Sequence, residues 1–228
     1  MGDIGIFDMK AILYVMNRLA YFIALYVAAM LVGCSSHAPS AARFMSAKPN
    51  SISYGFGGGG VLGDDNSHRE EDADKVYNYS ELRFLLEWAT LFRNDNFVFG
   101  FGVGEHSLVR LTLGFANDYL GVQGWISPIV LGEKPLANWK LPAGLMLIEQ
   151  YPFNSDFRIG MSQFFAYNSY SGFLEGNGSL NFSCYAKFYT ELGAGVYISY
   201  SHYSLEFRYG NELASDNQRF YIEFSMMQ

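Results

Sequence analysis

From Ser51 onward, bulky apolar side chains recur at every second position in one segment after another. In 97–105, Phe97, Phe99, Phe101 and Val103 oppose Gly100, Gly102 and Gly104. In 107–116, Val109, Leu111, Leu113 and Phe115 oppose Arg110, Thr112 and Gly114. The same alternation runs through 81–92, 157–167, 179–192, 205–209 and 219–226. A two-residue period belongs to the strand, whose successive side chains point to opposite faces, whereas a helix repeats at 3.6. Further strands are expected at 51–62, 119–130, 144–151 and 195–200, with turns at Asn94-Asp95-Asn96, Asn117-Asp118 and Asn154-Ser155-Asp156. No heptad, 20–50-residue repeat or amphipathic helix competes with this pattern, so the fold class is all-β.

Alternation does not say which face meets water. A soluble sheet buries its apolar face, and a membrane barrel turns that face to lipid. Composition favours the second. Charged residues make up 16% of the 228 and aromatics 18%, against about 25% charged in an average domain. The apolar faces carry no charge. The opposite faces carry Gly, Ser and Tyr, together with Arg83, Arg110, Arg158, Lys187, Arg208 and Arg219 set against Glu81, Glu87, Glu191, Glu206 and Glu223. These charges nearly balance, although the whole chain carries −7, so the acidic excess falls in loops, chiefly 64–75. A nearly neutral, polar interior is what a filled barrel needs, because unpaired buried charge is costly. With 50% apolar residues the chain is not disordered. Its acidity argues against a nucleic-acid partner, and two cysteines make no disulfide scaffold.

Over residues 51–227 the pattern resembles the small outer-membrane β-barrels. That resemblance implies an antiparallel up-and-down β-barrel of 8–10 strands. The chain departs from it by ending Phe224-Ser-Met-Met-Gln228, where such chains often end on an aromatic residue. A second reading stays open: a lipid-tethered soluble β-domain, with the aromatic faces as its core and a ligand or partner as its target.

Residues Leu19–Met30 are an apolar run of signal-peptide length, with Arg18 before it and Leu31-Val32-Gly33-Cys34 after it. This order resembles a bacterial lipoprotein precursor with its lipobox. The resemblance implies a helical signal peptide over 1–33, diacylation (palmitate among the acyl chains) at Cys34, and delivery to the outer membrane, since Ser35 follows the cysteine. The competing reading is a membrane helix over 11–33, interrupted by Asn17 and Arg18. Asp3 and Asp8 suit a signal poorly, and a start at Met9 or Met16 gives a tidier one. Residues 34–50, rich in Ser, Ala and Pro, read as a lipidated flexible tether, with the barrel domain over 51–228.

Candidate chemistry is sparse. His202, Ser204 and Glu206 share one strand face at i, i+2, i+4 and are weak candidates for a nucleophilic relay. They resemble the His-Ser-Glu set of the outer-membrane lipid A deacylases, which implies an esterase acting on lipid. Asn211 and Leu213 stand where that family has its His and Ser, so those roles do not carry over. Polar interior packing is the plainer reading of all three. Asp64, Asp65, His68, Glu70 and Asp72 form an acidic loop that is a weak candidate for a divalent cation, and through it for contact with lipopolysaccharide; the EF-hand spacing is absent. Gly55–Gly60 satisfies G-x-G-x-x-G without a following helix, so it reads as close packing in a bent strand. Trp88, Trp125 and Tyr209 read as interfacial anchors or, in a soluble domain, as core. No cofactor is expected. The sequence therefore points to an outer-membrane lipoprotein with a small filled barrel and a structural or surface-interaction role, with membrane lipid as its main partner.

Overall fold

The computed structural model describes residues 37–65, 79–104, 107–127, 129–130, 139–176, 179–215 and 217–228. Twelve strands follow in chain order: β1 (Ser51–Asp65), β2 (Tyr79–Asn94), β3 (Phe97–Gly104), β4 (Ser107–Ala116), β5 (Leu120–Ile126), β6 (Ile129–Val130), β7 (Trp139–Lys140), β8 (Ala143–Pro152), β9 (Phe157–Gly176), β10 (Ser179–Tyr200), β11 (Tyr203–Glu212) and β12 (Gln218–Met227). Ten of them close into one antiparallel up-and-down barrel, with β5 paired to β8 and the β6–β7 ribbon set apart. β12 returns to β1 from Gly55↔Met227 to Gly63↔Arg219. Closure leaves no strand edge, so backbone groups are paired around the whole ring.

One end of the barrel is made of tight turns. Asn117 accepts from the amides of Tyr119 and Leu120, each at 2.8 Å. Asn154 accepts from those of Asp156 and Phe157 at 2.8 and 2.7 Å. Asp95 and Ser201 take left-handed backbone angles at φ 51° and 54° in the other two turns. The expected turns therefore form, held by the short polar side chains that favour them. The opposite end carries the longer connections, and there β9 and β10 extend to 20 and 22 residues.

Several boundaries differ from expectation, β9 running on to Gly176 among them. Segments 179–192 and 195–200 are a single strand, paired through Gly193 and Gly195 on both sides. Gly193 is a packing residue, since a Cβ there would strike the Phe164 ring. β5 ends at Ile126 rather than 130.

The faces are unambiguous. Leu113 and Phe224 are 55% and 53% exposed, whereas Val98 and Ile148 on the other face are fully buried. The alternating apolar residues point out of the barrel, so the aromatic faces are not a protein core. Trp88 and Tyr209 stand on this outer face; Trp125 is buried in the lumen and is no interfacial anchor.

Candidate functional site

The lumen is filled by the chain's own residues 37–47, almost all of them buried. This corrects the reading of 34–50 as a flexible tether: its described part is a plug. Within it, Ala41–Met45 forms a short helix, α1, capped by the Ser40 hydroxyl, which accepts from Arg43 N at 3.2 Å. Ser and Ala are apt residues for a cap and a first turn. Five residues do not sustain a helix alone, so the wall must hold it. Glu206 does so from β11. Its carboxylate accepts from Ser40 Oγ at 2.5 Å and from the amides of Ala41 and Ala42 at 3.2 and 3.3 Å. A negative charge on the free amides of a helix start suits both their hydrogen bonding and the helix dipole.

Guanidinium forks hold the rest of the segment. Arg208 Nη1 donates to the carbonyls of Ala38 and Pro39 at 2.8 and 2.5 Å, and its Nη2 donates to Glu223 at 2.9 Å. Arg110 Nη1 reaches both Glu87 oxygens at 2.8 Å while Nη2 donates to His37 O at 2.9 Å. Arg93 bridges the carbonyls of Ala47 and Ala116, each at 2.9 Å. The plug answers with one charge of its own: Arg43 Nη2 lies 2.5 Å from Glu87 and 3.0 Å from Glu223. Arginine suits these positions because its planar donors serve two acceptors at once and it stays charged when buried. Among the described residues, Arg43, Arg110, Arg208 and Arg219 pair with Glu87, Glu206, Glu212 and Glu223, while Arg93 bonds only carbonyls, so the charges of the low-dielectric interior nearly cancel.

Below the charges sits an apolar seat. Phe44 and Met45 are buried against a cluster that includes Trp125, Met146, Ile148 and Phe164. Each contributes about 1.5–3 kcal/mol by leaving water. Wall glycines make the room: a Cβ on Gly114 would come 2.8 Å from Phe44 Cζ, one on Gly121 would strike Met45 Sδ, and one on Gly57 would lie 3.1 Å from Arg43 Cζ. The G-x-G-x-x-G stretch thus lies inside β1, where part of it accommodates the plug.

Toward the long-loop end lies a second polar cluster. Tyr221 donates to Glu191 at 2.8 Å and Asn168 does so at 2.6 Å. His37 Nδ1 lies 3.2 Å from Tyr189 Oη and 3.3 Å from Tyr221 Oη. Arg219 stacks over Tyr189 at 3.8 Å and pairs with Glu212 at 3.3 Å.

The three residues considered for a relay are parted. His202 is exposed on the turn between β10 and β11. Ser204 shares a 2.6 Å hydrogen bond with Ser225, and Glu206 serves the plug. Asp64 and Asp65 end β1 opposite Ser80 and Tyr79. His68, Glu70, Asp72 and Cys34 lie outside the described residues. Among the described residues no cluster of His, Cys, Asp and Glu could hold a metal ion. Of the charges expected inside, Arg110, Arg208, Arg219, Glu191, Glu206 and Glu223 are buried. Arg158 is only half-buried, beside the 153–156 turn. The pattern missed Arg43, Arg93 and Glu212. Arg93 and Glu212 lie where β2 and β11 run beyond the alternation read for them, and Arg43 lies in a segment with no period at all.

No family model matches the chain, and no curated protein matches it. Solved structures similar to it include Neisserial surface protein A, at 11% identity and TM-score 0.42, with 77% of this chain and 95% of that one covered. Ail, the attachment invasion locus protein of Yersinia pestis crystallised with the heparin analogue sucrose octasulfate, gives 8% and 0.33, covering 78% and 99%. The CymD monoaromatic hydrocarbon channel gives 8% and 0.32, covering 86% and 94%. At such low scores, the architecture of this chain rests on its own strand pairing.

Proposed function

We propose that this chain is an outer-membrane protein whose small plugged barrel serves a structural or surface-interaction role through its long-loop end. The observation that carries this reading is the apolar belt around the barrel, with residues such as Phe99, Leu111, Leu147, Ile198 and Ile222 44–47% exposed and, toward the tight-turn end, Glu149 as an outward charge. Monomeric soluble proteins rarely expose apolar patches beyond a few hundred Å². A barrel in lipid requires a band about 25 Å tall, bordered by aromatic rings. Tyr119, Tyr151, Phe153, Tyr200 and Tyr203 cluster at the tight-turn end, as such a border requires. Short turns at one end and longer loops at the other match the asymmetry of outer-membrane barrels.

Lipidation at Cys34 is a separate part of the proposal. Cys34 lies three positions before lumenal His37, a stretch that spans at most about 11 Å. Acyl chains on Cys34 must therefore meet lipid within that reach of His37. The acidic loop 64–75 would touch lipopolysaccharide through bridging cations. The testing experiment replaces Cys34 with Ala behind a cleavable secretory signal. The protein is expected to stay in the carbonate-washed outer membrane and to migrate faster unheated than heated in a gel. Recovery wholly in the soluble periplasm would sink the membrane reading. Incorporation of labelled palmitate into wild type, absent from the Cys34→Ala protein, tests the anchor.

A further inference from the structure

We propose that residues 37–47 are a displaceable plug, and that the barrel conducts small hydrophilic ions when α1 leaves its seat. This inference rests on the membrane reading above and adds an activity to it.

Three observations carry it. The first is how the wall charges are paired. Glu87 keeps Arg110 at 2.8 Å and Glu223 keeps Arg208 at 2.9 Å, both from wall to wall. Glu206 has Arg208 Nε at 3.8 Å. Removing the plug takes away Arg43, yet Glu87 keeps Arg110, and Glu206 and Glu223 share Arg208. The wall is then left with one carboxylate in excess, which water in an open lumen would solvate.

The second is how the plug is held. Many of its ties run from wall side chains to its backbone: Arg110 to His37 O, Arg208 to Ala38 O and Pro39 O, and Arg93 to Ala47 O. Water can replace a donor to a carbonyl at little cost. Only Phe44 and Met45 are large apolar anchors, since the remaining buried positions of α1 are Ala41, Ala42 and Arg43.

The third is that the wall around the apolar seat leaves polar atoms unpaired. Gln123 Oε1, Trp125 Nε1 and Ser162 Oγ are buried on the lumen wall without a hydrogen-bond partner. Buried polar atoms are normally paired, and such groups are better served by water in an open lumen. A bore that admits a turn of Ala-rich helix also admits hydrated ions. Arg and Glu line the lumen nearly evenly, so the open state discriminates weakly between cations and anions. The chain stays joined to β1 through Lys48–Asn50, an exposed turn with Asn50 at φ 52°.

The test is single-channel recording of the full mature chain in planar phospholipid bilayers in potassium chloride. Flotation with vesicles and the heat-dependent gel shift are scored on the same preparations. Wild type should be mostly closed. Arg43→Met and Glu206→Ala should raise open probability at least tenfold, with a reversal potential near zero in a salt gradient. Deletion of 37–47 should give a steady current; if that variant does not fold, the two point variants decide. Variants that are folded and inserted yet as silent as wild type overturn the pore alone. So does a wild type as open as its variants. A protein that neither floats with vesicles nor shifts on heating overturns the membrane reading, and the pore falls with it.

Discussion

On β11, Phe207 and Tyr209 stand on the outer belt, 45% and 39% exposed, while Glu206 and Arg208 beside them are almost fully buried in the lumen. Outside, the side chains are apolar and bulky, and in the proposed membrane setting they need no fixed partners, because lipid packs against any hydrocarbon. Inside, each polar group answers a particular acceptor, and wall glycines are placed where plug side chains need space. The two faces of one strand therefore tolerate substitution by opposite rules, one set by solvent and the other by pairing.

The sharpest break should come from Arg208→Met. It strips the carbonyls of Ala38 and Pro39 and the carboxylates of Glu206 and Glu223 of their shared donor. A loss of about 3–5 kcal/mol is expected, as for one partner removed from a buried pair. It is read from the urea midpoint of the folded fraction in lipid vesicles. Next comes Leu111→Arg at the middle of β4, on the outer face. About 2–4 kcal/mol should be lost in vesicles if the face meets the bilayer midplane; no loss there would mean the belt faces water. Ser40→Ala removes the cap of α1 and should cost about 1 kcal/mol, seen as a small shift of the same midpoint. Leu111→Ile should fall within about 0.5 kcal/mol. If it cost as much as Arg208→Met, the contrast between a permissive exterior and a paired interior would be lost.

Much of the site was legible as position but not as partnership. Glu206, Arg208, Glu223, Arg110 and Glu87 were assigned to the interior from their phase in the alternation, and that phase holds in the structure. Their partner was not legible. His37–Ala47 reads as a tether because Ser, Ala and Pro serve equally in a solvated linker and in a segment threaded through a narrow lumen, where small side chains fit and the backbone does the bonding. Nothing periodic marks such burial. Phe164 was likewise hidden, since an aromatic on the inward phase stands out only once α1 is packed beside it.

What the sequence determined by itself is where most strands and turns fall and the sorting of residues into two faces, because a period of two is a local property that each segment carries alone. Tertiary structure decided which face turns outward and what fills the middle. An alternating strand reads the same with either face inward, and only closure of ten strands around residues 37–47 makes the charged side the interior. The plug's contacts join residues up to 184 positions apart. No local pattern records such pairings, because they exist only once the ring has closed.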